Sequence, residues 1–180
     1  MKESGTVKSK LQHYMDAGFP ILYVNTYEED KVDAIIAEIK YDKEVYEWNE
    51  SNGYIDFDTK TPVQEDCGLE QMLDQLKTKE LLDNKIIVLK DIIPYFDEPR
   101  IVSKIKGLAR LISQAADATI IIVSSVLVIP KDLEKYITIL EMDYLGTKEI
   151  KQVIHNFIND WVDDPDIDEK LIDEYAVAFK

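Results

Sequence analysis

Five short, mainly apolar runs recur along the chain, and segments with helical spacing separate them. The runs are ILYV at 21–24, VYEW at 45–48, IIVL at 86–89, TIIIV at 119–123 and ITIL at 137–140. Strands with so few polar positions are typical of a parallel sheet that is covered on both faces. The pattern therefore predicts an α/β fold, a three-layer sandwich with a doubly wound parallel five-stranded sheet.

The intervening segments repeat apolar residues at three- and four-residue spacing, as amphipathic helices do. Gly18 is placed to end the first helix, and Thr26 with Glu29 forms a capping box for the second. Asp97 is placed to cap a later helix that has Pro99 in its first turn. The positions predicted to face the core are Val7, Leu11, Tyr14 and Met15; Val32, Ile35, Ile36 and Ile39; Leu69, Met72, Leu73 and Leu76; and Ile101, Val102, Ile105, Leu108 and Ile112.

Two stretches depart from this alternation. Residues 49–67 are polar and irregular, and Tyr54, Ile55 and Phe57 in them predict a short hairpin arm. After residue 146 only helical spacing continues, so we expect an α/β core at 1–146 and the start of a helical lid, cut short by the end of the chain, at 147–180. The lid positions predicted to face inward, after a cap at Thr147, are Ile150, Val153, Ile154, Phe157 and Trp161, then Leu171, Ile172 and Tyr175.

Composition narrows the class of partner. The formal net charge is −15, from 36 acidic and 21 basic residues, and no basic patch stands out. Such a surface repels nucleic acid and anionic membranes. No apolar run approaches the roughly 18 residues of a membrane span, and the single cysteine, Cys67, excludes an internal disulfide. We therefore expect a cytoplasmic protein with no nucleic-acid or membrane partner.

The order of elements, a helix, five strands with intervening helices and a helical lid, resembles the AAA+ ATPase core. IIVLKDIIPYF stands where a Walker B strand would, and TIIIVSS where a sensor-1 strand would. GFPILYVNTYEEDKV, VYEWN and IPKDLEKYITILEMD resemble blocks of the degenerate N-terminal AAA-like domain of Ycf-type AAA+ ATPases.

This resemblance carries expectations about fold, cofactors and partners. It implies the strand order 5-1-4-3-2, counting the five predicted strands along the chain. It also implies that the chain is the N-terminal portion of a longer AAA+ ATPase that uses ATP and magnesium. The implied partners are the C-terminal AAA+ domain of the same chain or neighbouring subunits, with a homo-oligomer in the full-length protein.

The segment that should hold phosphate lacks the residues for it. A P-loop reads G-x-x-x-x-G-K-[ST], and its glycines let backbone N–H groups converge on phosphate. Residues 25–31 read NTYEEDK and contain no glycine. Acidic side chains in a first helical turn are favoured by the helix dipole and repel a bound phosphate. We therefore expect no cofactor site, and interpret as vestigial P-loop positions Thr26, Glu28, Glu29, Asp30 and Lys31.

The Walker B and sensor positions also lack the residues that catalysis requires. Asp91 is nearest to a Walker B acid, but Lys90 separates it from the strand and Ile92 stands where the catalytic glutamate belongs. We expect Asp91 to cap a turn or to pair with Lys90 or Lys31, and interpret Ser124 as a vestigial sensor. No catalytic residue and no metal ligand are predicted. Two arginines, Arg100 and Arg110, are predicted to lie on a solvated helix face.

The other groups of residues that could suggest a functional site are predicted to have structural roles. Asp164, Asp166 and Asp168 imitate an EF-hand start, but Glu169 replaces the required glycine, so a turn and helix cap is predicted. His13 and His155 lack companion ligands. The acidic loop around Cys67 is expected to raise the pKa of its thiol. Four aromatic residues are predicted to pack against the core, namely Tyr46, Trp48, Tyr54 and Phe57.

Three functions remain open at this point. The preferred hypothesis is a non-catalytic AAA-like module that regulates or recruits. The second is an enzyme with an unorthodox nucleotide site at 28–31 and Asp91. The third is a receiver-like phosphoacceptor switch that uses Asp91 or Glu29, although residues 141–143 read EMD where a receiver requires lysine.

Overall fold

The computed structural model describes residues 7–142, 147–161 and 168–178, with side chains described for 150–159 of the helix at 147–161. The chain divides into two compact units, residues 1–142 and 143–180. None of the described helices is long and apolar enough to cross a membrane.

The first unit alternates strands and helices as the apolar pattern predicts. Its strands are β1 Ile21–Asn25, β2 Glu44–Asn49, β3 Gly53–Asp56, β4 Lys85–Leu89, β5 Ala118–Ser124 and β6 Ile137–Glu141. Its helices are α1 Val7–Asp16, α2 Glu29–Ile39, α3 Leu69–Gln75, α4 Lys79–Leu82 and α5 Pro99–Gln114, with short 3₁₀ helices at Ile93–Asp97 and Glu134–Tyr136.

One sheet joins these strands in the order β3-β2-β4-β5-β1-β6. Five of the strands are parallel, and read from the β6 edge they follow the order 5-1-4-3-2, which confirms the expected topology. The predicted count of five is too low, because the hairpin arm adds β3 antiparallel to β2, with Trp48 opposite Tyr54.

Helices cover both faces of the sheet, so the three-layer prediction is confirmed. On one face Tyr23, Ile87 and Ile122 pack against α3 and α5. On the other face Val24, Val88 and Val123 pack against α1 and α2. Successive strand residues point to opposite faces, so the continuous apolar runs supply both cores. Trp48, Tyr54 and Phe57 are buried and Tyr46 is partly buried, as predicted for packing rather than for a surface patch.

Two predicted helix ends have different outcomes. Gly18 lies after α1 with φ +73°, its N–H donates to Met15 O at 3.0 Å, and Phe19 N–H donates to Tyr14 O at 3.0 Å, a Schellman motif. The cap at Asp97 is wrong, because Asp97 ends the 3₁₀ helix and Glu98 is the N-cap residue of α5, with no side-chain cap bond.

The second unit contains α6 Thr147–Trp161 and α7 Glu169–Ala178. Ile150, Ile172 and Ala176 are buried, and Lys151 pairs with Asp173. The inward prediction is wrong for Val153, Phe157, Leu171 and Tyr175, which are exposed, because two packed helices bury only a narrow stripe of each.

The acidic turn lies largely outside the described residues. Asp168 Oδ1 accepts a hydrogen bond from Lys170 N–H at 3.0 Å, which confirms its role as a cap for α7. Asp164 and Asp166, and the side chains of Thr147 and Trp161, lie outside the described part.

Candidate functional site

The segment at 25–28 joins β1 to α2 at the carboxyl edge of the sheet. Thr26 N–H donates to Ser124 O at 3.0 Å, and Thr26 Oγ1 accepts from Glu28 N–H at 2.9 Å. The helix begins at Glu29, and Glu28 is its N-cap residue, without a side-chain cap bond. The predicted capping box is therefore wrong: β5 takes the Thr26 N–H that Glu29 would need, and the threonine hydroxyl stabilises a turn before the helix.

Acidic side chains do line the start of α2. Glu29 and Asp30 lie in its first turn. Glu28 pairs with Lys31 at 3.7 Å on the surface, so Lys31 is held within its own helical turn. The Glu29 carboxylate lies 3.8 Å from Nζ of Lys90, the lysine that directly follows β4.

Lys90 is a buried lysine, only 6% exposed, directly after β4. It shares a strand face with Ile86 and Val88, which pack against α2, so its side chain enters the space beside that helix. Its Nζ donates to Asp33 Oδ2 at 2.9 Å and lies 3.4 Å from Glu47 Oε1. The predicted pairing of Asp91 with Lys90 or Lys31 is wrong, because both lysines pair with other carboxylates.

Glu47 is the deepest acid of this group, 3% exposed within β2. Asn49 Nδ2 donates to its Oε1 at 2.9 Å, and Lys60 Nζ donates to its Oε2 at 2.6 Å. Lys60 comes from the loop after β3, also reaches Asp33 at 3.3 Å, and lies 4.1 Å from the centre of the Phe57 ring.

We call the five residues Glu29, Asp33, Glu47, Lys60 and Lys90 the Lys90 cluster. Three carboxylates face two ammonium groups, so the cluster neutralises most of its own charge. Its members come from α2, β2, the loop after β3 and the end of β4, so it joins four segments through ion pairs that range from buried to half-exposed. The arrangement holds charged groups in place and leaves no free cation inside it.

The pKa shifts agree with this geometry. Burial by itself lowers the pKa of Lys90, but the hydrogen bond to Asp33 and the charges of Glu47, Asp33 and Glu29 outweigh burial and raise it. Burial likewise opposes ionisation of Glu47, yet hydrogen bonds from Lys60 and Asn49 and the two lysine charges lower its pKa. The pKa of Glu29 is raised by burial, which the charge of Lys90 offsets only in part.

Asp91 and Ser124 lie at the same sheet edge but outside the cluster. Asp91 is exposed, at a bend with φ +57°. Ser124 Oγ hydrogen-bonds the backbone of Val126, accepting from its N–H at 3.2 Å. Ser124 is thus engaged with its own loop, whereas the charge of Asp91 still acts on the cluster and helps to raise the pKa of Glu29.

The remaining candidates take no part in this edge. Within the described residues, no group of three or more His, Cys, Asp or Glu side chains is arranged to hold a metal ion. Cys67 is buried, and the cause that raises the pKa of its thiol is this burial and not the acidic loop. Lys104 pairs with Asp74, and Arg100 lies 3.7 Å from Glu70, so the basic face of α5 is a set of surface ion pairs.

Sequence reasoning missed the Lys90 cluster itself. A lysine after an apolar strand and a glutamate inside VYEW look like ordinary polar positions. The signal lies in the alternation: Glu47 shares a face with Val45, and Lys90 with Val88, both of which point to the α2 layer. Two opposite charges on the buried face of neighbouring strands indicate a buried ion pair.

Comparison with protein families agrees with this architecture. A family model described as the N-terminal domain of SpoVK-like AAA ATPases matches residues 7–142. The chain belongs to this family. The match covers all six strands of the SpoVK-like N-terminal domain and ends just after β6.

Named relatives carry an AAA domain. The chain is 30% identical over 151 residues to the AAA domain-containing protein ycf46 of Trieres chinensis, covering 81% of this chain and 29% of that protein. It is 30% identical over 144 residues to the ycf46 protein of Guillardia theta, covering 77% and 28%. The chain thus spans less than a third of the length of these relatives.

Solved structures share the fold at low identity. A chain of the E. coli MS115-1 HORMA:CdnC:Trip13 complex aligns with TM-score 0.58 and 9% identity, over 94% of this chain and 71% of that one. A single-substitution variant of RuvB from Thermotoga maritima aligns with TM-score 0.55 and 14% identity, over 94% and 54%. Both likenesses confirm the AAA+ type of fold.

Proposed function

We propose that this chain is a non-catalytic AAA-like module that regulates or recruits within a longer AAA+ ATPase, and that it does not bind nucleotide. The observation that carries the proposal is the Lys90 cluster. It fills the space beside the start of α2 with ion pairs that the protein makes to itself.

At the start of α2 and the end of β4, the signs of the charges are the reverse of those in a nucleotide site. A P-loop ATPase places a lysine and free N–H groups at the helix start and an acid at the end of the Walker B strand. This domain places Glu29 at the helix start and Lys90 at the end of β4. A triphosphate that approached α2 would meet the carboxylates of Glu28, Glu29 and Asp30 first.

Lys90 is also unavailable to a ligand. Moving its ammonium group towards a phosphate would leave Glu47, 3% exposed, and Asp33 with one cation fewer. Removing one partner from a buried ion pair costs roughly 3–5 kcal/mol. Phosphate binding would have to supply that free energy before it gained anything.

The family match and the longer relatives support the rest of the proposal. We place an AAA-like core without a P-loop at residues 1–146 and the start of a helical lid at 147–180. In the longer protein, ATP and magnesium would bind at another AAA+ domain. The module would dock on that C-terminal domain or on neighbouring subunits of a homo-oligomer.

Calorimetric titration of the 180-residue chain with ATP and magnesium tests the proposal. We expect no saturable heat at ligand concentrations up to about 1 mM, the range of weak nonspecific association. A micromolar Kd would contradict the proposal. Magnesium-dependent ATPase activity that Asp91→Asn abolishes would support the unorthodox enzyme instead.

A further inference from the structure

Three consecutive aliphatic side chains are exposed just after β5. Val126, Leu127 and Val128 are 55%, 43% and 39% exposed, and Tyr27 at the start of the α2 segment is 88% exposed. Single exposed apolar residues are common, but exposed runs of three or more consecutive apolar residues are unfavourable unless they serve a function such as binding. We call these four residues the docking edge.

The backbone of the 126–128 segment is fixed by a buried tyrosine. Tyr23 has no exposed surface; its hydroxyl donates to Val126 O at 2.5 Å and accepts from Val128 N–H at 3.5 Å. Ser124 Oγ accepts from Val126 N–H at 3.2 Å. These hydrogen bonds restrain the backbone of the segment, which lowers the entropy lost on binding.

Tyr27 lies at the same edge of the sheet as this segment. Asn25 lies opposite Ser124 in the β1–β5 register, and Thr26 N–H donates to Ser124 O at 3.0 Å. Tyr27 follows directly in the chain, two residues after the strand position that pairs with Ser124. Exposed tyrosines are common anchors of protein interfaces because a large ring is ordered at low entropic cost.

Acidic side chains outnumber basic ones at the edge of the sheet where the docking edge lies. The exposed carboxylates of Glu28, Asp91 and Glu141 follow or end β1, β4 and β6, and the carboxyl ends of parallel strands share one edge of a sheet. Two cations at this edge are engaged in ion pairs, since Lys31 pairs with Glu28 and Lys90 is buried in its cluster, whereas Lys131, three residues after Val128, is exposed. Nucleic acid and a second copy of this chain, with net charge −15, would both be repelled.

We propose that the docking edge binds a basic protein segment, in which aliphatic side chains contact Val126, Leu127 and Val128 while lysines or arginines face the surrounding carboxylates. This inference rests on the proposed function, because it names the surface through which a non-catalytic module would recruit its partner. Electrostatic complementarity of this kind selects the partner and speeds its association, and the apolar centre supplies most of the affinity.

Selection from a displayed library of short random peptides, with the 180-residue chain immobilised, tests the inference. We expect enriched peptides that combine Lys or Arg with Leu, Ile, Val or Phe. Leu127→Ser should weaken their binding at least about tenfold. Leu81→Ser is the matched control, because Leu81 is 50% exposed on α4, and it should leave binding unchanged.

The other outcomes contradict the inference. Enriched peptides that are acidic, peptides that bind both variants alike, or no enrichment above an uncoated surface would each overturn it. Sedimentation showing a dimer that Leu127→Ser dissociates would assign the surface to a second copy. The selection contains no nucleotide, so its failure leaves the result of the ATP titration standing, and the reverse also holds.

Discussion

Two regions at the same edge of the sheet differ in which side chains they bury and which they expose. Beside α2, the Lys90 cluster buries charged groups and gives each carboxylate a lysine within 3.8 Å. After β5, the docking edge exposes aliphatic groups, and Tyr23 and Ser124 fix the backbone that carries them. Each arrangement reverses the usual placement of polar and apolar groups.

The difference indicates what each region can bind. Both lysines of the cluster pair with its three carboxylates, so in our proposal it offers no cation to a small anion and serves the stability of the fold. A rigid apolar segment among exposed acids offers area and charge to another protein. In our proposal the edge that holds phosphate in an active AAA+ domain has changed from a small-molecule site to a protein-binding surface.

The largest expected effect comes from breaking the cluster. Lys90→Met leaves Asp33 and the buried Glu47 short of a cation, and we expect a loss of roughly 3–5 kcal/mol in the free energy of unfolding. Lys104→Met is the matched control, because Lys104 pairs with Asp74 near the surface and should cost about 1 kcal/mol or less. Urea denaturation monitored by circular dichroism measures both.

A double variant separates the charge effect from lost packing. In Lys90→Met with Glu47→Gln, the deepest unpaired charge is absent, so part of the lost stability should return. If both lysine variants cost the same, or if the double variant is no more stable than Lys90→Met, the cluster does not act as a buried ion network.

A smaller effect is expected at the anchor of the docking edge. Tyr23→Phe removes the hydroxyl that bonds Val126 O and Val128 N–H, and should cost about 1–2 kcal/mol. Tyr46→Phe, which removes an exposed bond to Glu44, should cost about 0.5 kcal/mol or less. Amide hydrogen exchange adds a local measurement: only Tyr23→Phe should speed exchange at Val128, and unchanged exchange there would contradict the anchoring role.

The contributions of Lys90 and Glu47 to stability should change only at the extremes of pH. The pKa of Lys90 is raised in the folded state, so its contribution is fully present below its ordinary pKa, about 10.4, and is lost as pH rises through the folded value. The pKa of Glu47 is lowered, so its contribution is present above its ordinary pKa and is lost as pH falls through the folded value. The stability gap between the wild type and Lys90→Met should therefore shrink at strongly alkaline pH. A gap that shrinks between about pH 6 and 9 would contradict the assignment.

The smallest effect on stability is expected at the exposed apolar groups themselves. Leu127→Ser and Leu81→Ser should each change the free energy of unfolding by about 0.5 kcal/mol or less, because both side chains are largely exposed. Thermal denaturation of the two variants side by side checks this. A large loss for Leu127→Ser alone would mean that Leu127 supports the fold rather than a partner.

The sheet could be predicted from the sequence, because the information is local. Each buried strand is a continuous apolar run, and Gly18 marks the end of α1 by its position alone. The resemblance then implied the order of the strands, which the pairing of β6 with β1 and of β4 with β5 confirms.

The site was harder to predict, because its contacts join distant residues. Lys90 pairs with Asp33, 57 positions earlier, and Lys60 reaches Glu47, 13 positions earlier. The capping box at Thr26 and Glu29 matched the local pattern and is still wrong, since Ser124 takes the Thr26 N–H through the sheet. Tertiary hydrogen bonds decide such positions, and no local pattern contains them.

The central claim is that the start of α2 and the end of β4 hold the protein's own ion pairs in place of a nucleotide. Amide chemical shifts of the ¹⁵N-labelled chain, recorded during titration with ATP and magnesium, test it residue by residue. We predict no saturable shifts at residues 25–31 or at Lys90 and Asp91. Saturable shifts confined to those amides, with a micromolar Kd, would contradict the claim.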